Sequence, residues 1–198
     1  FSELDELASP KITSNARMYT DRVFHKKGYG TIVTGTLLEG KLETGQDVYL
    51  NGITKSRIRG LQTYDQNVNT ANAKTRLAIN LTNIDKNSIS KGDHITSELI
   101  PGLNNSFDAI IKLSKSFKKS IKHNSTIQAF IGSRQINCRL ILGNLKEIND
   151  HTSHYVHLRS DKKISCKVND PIILRSSGET IAGGEILITG SSLKLFKS

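Results

Sequence analysis

The residues whose side chains could do chemistry fall into a few short stretches. Gly35-Thr-Leu-Leu-Glu-Gly40-Lys41 has the start of a phosphate-cradling loop, but Leu42 stands where such a loop places the Ser or Thr that ligates magnesium. β-type residues continue on both sides of it, whereas a phosphate loop opens a helix whose N-terminus meets the anion. The string therefore does not predict nucleotide binding. His151, His154 and His157 recur at every third position. On a strand such neighbours face opposite ways, so they cannot close on one metal ion and read as surface residues. Cys138 and Cys166 are too few for a disulfide framework and lack the close pairing of a zinc site, which fits a reducing cytoplasm. No Gly-x-Ser-x-Gly elbow occurs, and no Cys or Ser has a recognisable base partner nearby. The expectation is a chain with no catalytic or metal centre of its own.

Binding is the better prospect. Lys and Arg number 28 against 18 Asp and Glu in 198 residues, a net charge of +10. That balance favours polyanions by field steering and counterion release, with RNA or DNA the first suspect and a merely solubilising surface the alternative. Lys112, Lys115, Lys118, Lys119 and Lys122 fall in one short segment, which reads as a solvated connection or a phosphate-contacting arm. No apolar run approaches the ~20 residues that span a bilayer, and the first residues have no cationic region followed by an apolar stretch, so no membrane partner is expected. A Phe1 start with a short acidic lead reads as the edge of a longer chain.

The elements that must position these residues are strands. Arg17–Phe24, Thr31–Leu38 and Asp47–Leu50 alternate, are rich in β-branched and aromatic residues, and are bounded by Gly. Further candidates are Ser56–Tyr64, Arg76–Thr82, Phe107–Leu113, Thr126–Gly132, Ile136–Leu142, His154–Arg159, Pro171–Arg175 and Ile181–Ile188. With no long helical stripe, the pattern predicts antiparallel barrels or sandwiches. Ile100-Pro-Gly-Leu-Asn-Asn105 is a breaker cluster between two strand-rich halves. The expected organisation is a lead at 1–15, a β-barrel at 16–99, a linker at 100–103 and a second β-barrel at 104–198.

One string is more specific than periodicity. Asp21-Arg-Val-Phe-His-Lys-Lys-Gly28-Tyr-Gly30-Thr-Ile-Val-Thr-Gly35, continuing through Gly40 to Gly45-Gln-Asp47, resembles the second domain of elongation factor Tu-type translation GTPases. Gly28 and Gly30 suit a tight turn, and Gly35 a close approach of backbones at a barrel corner. Arg57–Asn67, Thr70–Asn80 and Ile89–Asp93 narrow the resemblance to the selenocysteine-specific elongation factors. In the second half, Ile127–Ser133, Cys138-Arg139-Leu140, Val168–Arg175 and Thr180–Gly184 resemble that family's third domain. Two departures concern one turn: Ser176-Ser-Gly-Glu179 replaces a common Ser-Pro turn, and Glu185 a common third Gly.

The resemblance implies all-β architecture as two consecutive small antiparallel Greek-key barrels of the translation-factor domain 2 and domain 3 type. It implies a cytoplasmic factor that binds selenocysteinyl-tRNA and works on the ribosome. GTP and magnesium would belong to a preceding G domain, and winged-helix domains would follow. Such a factor must accept selenocysteinyl-tRNA and reject seryl-tRNA. A selenol is largely ionised near neutral pH and a Ser hydroxyl is not, so cationic side chains make the distinction. The resemblance maps that pocket onto Asp21, Arg22 and Arg76, both Arg being charged at any physiological pH. Asp21, which would repel a selenolate, is expected to orient an Arg or bond the cationic aminoacyl amine. The loop 69–75 is expected near the terminal adenosine. For the second barrel, Lys118, Lys119, Arg134 and Arg139 are the candidates for contacting tRNA backbone. Another translation GTPase, or a barrel that binds RNA nonspecifically or docks proteins, is the rival reading.

Overall fold

The computed structural model describes residues 15–99 and 103–190. The chain divides into two compact units, Phe1–Pro101 and Gly102–Ser198. The first contains β1 (Arg17–Lys26), β2 (Gly30–Glu39), β3 (Lys41–Glu43), β4 (Asp47–Leu50), β5 (Thr54–Thr63), β6 (Gln66–Val68), β7 (Thr70–Asn72), β8 (Thr75–Leu81) and β9 (His94–Thr96). The order β4-β9-β1-β2-β8-β5 closes on itself through the β4–β5 pairing, β6 hangs from β5 as a hairpin, and β3 pairs with β7. The second contains β10 (Asn104–Leu113), β11 (Ile121–Lys122), β12 (Thr126–Ile131), β13 (Arg134–Ile141), β14 (Glu147–Ile148), β15 (Ser153–Ile164), β16 (Pro171–Ser176) and β17 (Glu179–Thr189). Its barrel runs β10-β15-β13-β12-β16-β17. All pairings are antiparallel, so the structure is the all-β pair of barrels that the alternation predicts. No helix among the described residues is long and apolar enough to cross a membrane.

Alternation turns one face of each strand inward. In β13 Ile136, Cys138 and Leu140 are buried while Gln135, Asn137 and Arg139 are exposed. The first core gathers Met18, Val33, Leu37, Val48, Ile58, Leu61, Leu77, Ile79 and Ile95, all nearly inaccessible. Each such side chain contributes roughly 1.5–3 kcal/mol of burial, an upper figure because unfolded chains already hide some apolar surface. Cys138 belongs to the second core, where burial pushes its thiol up to about 12, so it stays protonated and inert at neutral pH.

The histidine trio departs from the sequence expectation. His157 is buried, and its Nδ1 lies 2.7 Å from Asp108 Oδ1 on the neighbouring strand. The β10–β15 register puts these two residues opposite each other. His154 is largely covered as well and bonds Asp150, and only His151 of the three is exposed. The departing turn at Ser176–Glu179 is a two-residue hairpin with φ +48° at Ser177 and +81° at Gly178, a turn whose hand matches the strand twist.

Candidate functional site

A bulge in β1 builds the site. Thr20 sits opposite Gly35 and Arg22 opposite Thr34, so Asp21 is an extra residue in the ladder. Consecutive strand residues normally face opposite sides, and a bulge re-aims one of them. Thr20 stays buried and Val23 packs against the core, while the adjacent Asp21 and Arg22 both reach solvent. Thr34 in turn opposes Ala78 on β8, and Arg76 lies two residues before Ala78 on the same outer face. Arg22, Thr34, Ala78 and Arg76 are thus neighbours although the sequence scatters them.

Arg76 Nη1 donates a hydrogen bond to Asp21 Oδ2 at 2.7 Å. The two side chains are 58% and 32% exposed. At that exposure the pair stabilises the fold by less than ~1 kcal/mol, so its main consequence is where it aims the guanidinium. Among the described residues Arg22 pairs with no carboxylate. Arg22 and Arg76 line one groove of about 310 Å³ together with Phe24, Thr34, Gln62 and Tyr64. A larger groove of about 610 Å³ adjoins it, sharing Gln62 and Ala78 and including Lys26, Tyr29, Arg59 and Asn80. The Lys26 ammonium lies 4.6 Å from the Tyr29 ring centroid, a cation over an aromatic face.

Each groove is lined by a residue with a buried, unbonded polar atom. Thr34 Oγ1 in the smaller and Asn80 Oδ1 in the larger are buried without a hydrogen bond in the chain. A buried unsatisfied group costs about 1–3 kcal/mol. Sequence reasoning missed Thr34, Gln62, Tyr64 and Asn80; the signal was strand register, which a single sequence does not display.

The segment 69–75 is not the loop the sequence suggested. Thr70–Asn72 pairs with Lys41–Glu43, Lys74 takes a left-handed φ of +67° to turn the chain, and Thr75 opens β8. Of this segment only Asn69 lines the larger groove.

In the second barrel Lys118 and Lys119 are exposed on the connection from β10 to β11, which is pinned by buried Phe117 and Ile121. Arg139 faces outward from β13, directly opposite Arg159 of β15. Arg134 begins β13 with the parity of the inward-facing Ile136 and Cys138, so it does not share the face of Arg139. The structure therefore does not gather these four residues into one cluster, although Arg139 has Arg159 as its cross-strand neighbour.

Gly35–Lys41 runs from β2 into β3 with no helix to cradle phosphates, and no group of three or more His, Cys, Asp or Glu among the described residues could hold a metal ion.

Residues 30–96 match the family model for elongation factor Tu domain 2. A selenocysteine-specific elongation factor from Desulfomicrobium baculatum is 27% identical over 191 residues, covering 94% of this chain and 30% of the relative. One from Escherichia coli K12 is 38% identical over 87 residues, 43% of this chain and 14% of the relative. One from Methanocaldococcus jannaschii is 29% identical over 141 residues, 70% of this chain and 30% of the relative. The chain spans less than a third of the length of these relatives.

Proposed function

We propose that this chain, similar along nearly its whole length to the selenocysteine-specific elongation factors and carrying an elongation factor Tu domain 2 in its first barrel, binds the aminoacyl end of selenocysteinyl-tRNA. The observation that carries the reading is the convergence of Arg22 and Arg76 on one groove, with Asp21 holding Arg76. A selenolate entering that groove meets two permanent cations, and Asp21 acts through Arg76, its charge already engaged, so that it repels the anion less. A neutral seryl hydroxyl gains no comparable attraction. The adjoining groove, with its amide side chains and Tyr29, accepts the terminal nucleoside. The shared wall at Gln62 and Ala78 fits a ligand in which amino acid and nucleoside are joined by one ester.

The second barrel contributes backbone contacts to the tRNA stem through exposed cations, with Arg139 and Lys118 and Lys119 the best placed and Arg134 least so. No hydrolytic step is assigned to these barrels. GTP and magnesium belong in this proposal to a separate G domain, and the ribosome and winged-helix domains are partners of the larger factor.

Filter binding of selenocysteinyl-tRNA by the purified chain in an excess of uncharged bulk tRNA tests the reading. The complex is expected to survive the competitor, and its affinity to fall with salt at a log-log slope of about 0.7 to 0.9 per phosphate contact. Equal displacement by bulk tRNA would instead mark a nonspecific polyanion binder.

A further inference from the structure

A strained turn at the rim of the arginine groove has no structural reason to hold the residue it holds. Thr63 of β5 pairs with Gln66 of β6, leaving Tyr64 and Asp65 as a two-residue hairpin loop, with φ of +49° and +63°. Turns of this hand favour Asn-Gly, because both central residues are left-handed. A bulky aromatic in that conformation is an outlier, and such strain collects at functional sites. Packing does not account for it, since Tyr64 is 90% exposed. The stem beneath is fixed, with Gln62 Nε2 donating to Asn67 Oδ1 at 2.8 Å, so the ring is presented on a braced arm.

Tyr64 borders the groove that holds Phe24, Arg22 and Arg76, and Phe24 is itself 41% exposed. Cations that track a backbone beside aromatic rings that receive bases are the general means of holding single-stranded nucleic acid. We infer that Tyr64 is a stacking platform for one base of the single-stranded 3′ end of the RNA that enters these grooves. The inference rests on the proposed tRNA reading but assigns Tyr64 a role separate from amino-acid discrimination. Stacking is indifferent to the amino acid, so Tyr64 sets affinity and the arginines set preference.

The test uses the full chain and an RNA hairpin with a single-stranded 3′ end carrying 2-aminopurine at each unpaired position in turn. Wild-type protein is expected to quench one position on binding. Tyr64→Ala should lose that quenching and bind about tenfold to a hundredfold more weakly, with the ratio of selenocysteinyl- to seryl-tRNA affinity unchanged, while Tyr64→Phe restores both quenching and affinity. Tyr64→Asn should raise the unfolding midpoint by several degrees, because Asn suits the turn, and still bind weakly. A gain in stability with a loss of binding is not what a merely structural residue shows. Wild-type affinity and quenching in Tyr64→Ala would overturn the role of Tyr64 and leave the arginine reading standing. Absence of both hairpin binding and quenching by the wild-type chain would overturn the stacking role, whereas the arginine reading falls only if selenocysteinyl-tRNA itself is displaced by bulk tRNA.

Discussion

Replacing Arg76 by Glu is expected to abolish the preference for selenocysteinyl-tRNA over seryl-tRNA while leaving the unfolding midpoint nearly unchanged. A unit charge pair at ~4 Å contributes on the order of 4 kcal/mol at an effective dielectric near 20, and each ~1.4 kcal/mol is tenfold in affinity. Loss of the attraction alone is worth up to several hundredfold and repulsion by the introduced carboxylate adds to it, both reduced by the desolvation that each ion undergoes on binding. Stability should hold because Arg76 is 58% exposed and its bond to Asp21 is a surface pair. Asp21→Asn gives a separate check. It keeps both cations but weakens the aim of Arg76, so a partial loss of preference is expected, smaller than for Arg76→Glu. Competitive filter binding with the two charged tRNAs reads both variants. A preserved preference in Arg76→Glu would remove Arg76 from the site.

The largest stability effect is expected at Gly184, on β17 between β10 and β16. A Cβ there would be driven into the carbonyl oxygen of Ile110 and to 2.8 Å from the Cα of Ile111. Both obstacles are backbone in the neighbouring strand of a closed ring, so neither can step aside without breaking the ladder. Gly184→Ala should cost on the order of 4 kcal/mol or more, the range reserved for overpacking and backbone conflict. Gly35 of the first barrel faces the same obstruction from the Tyr19 carbonyl. Gly60 is the control, since a Cβ there meets nothing within 4 Å. Urea unfolding should show Gly184→Ala losing its second barrel and Gly60→Ala little changed; equal midpoints would contradict the close approach.

Much of the fold was legible because long half-buried strands write their own pattern. Alternation predicts strands over Thr126–Gly132 and Ile136–Leu142, and the structure forms them over Thr126–Ile131 and Arg134–Ile141. β9 was not legible, although it helps close the first barrel by pairing with both β1 and β4. His94, Ile95 and Thr96 are all buried, so a three-residue strand shows no alternation at all. The polar stretch holding β6 and β7 hid for the opposite reason, its largely exposed amide and small residues reading as loop. His157 was misread because its partner Asp108 is 49 residues away, and only strand register brings them together.

The site was legible only in part, for the same physical reason. Asp21 and Arg22 stand out through family resemblance, but by spacing alone they read as an ordinary pair on a strand. The bulge that turns both outward, and the register that brings Thr34 and Arg76 beside them, are properties of the assembled barrel. Tyr64 carried a faint signal, an aromatic followed by Asp between two β-type runs, which marks a turn without revealing that it borders the groove of Arg22 and Arg76.

The central claim is that two guanidinium groups select an ionised selenium atom. Its most direct test is the ratio of selenocysteinyl-tRNA to seryl-tRNA affinity followed downward in pH through the titration of the selenol, with seryl-tRNA binding as the internal control for protein integrity. Arginines keep their charge throughout, so the two cations stay constant while the selenol titrates. The ratio should fall toward parity as the selenol gains its proton. A ratio that stays constant across that titration would mean that shape, not charge, separates the two amino acids, and would contradict the account.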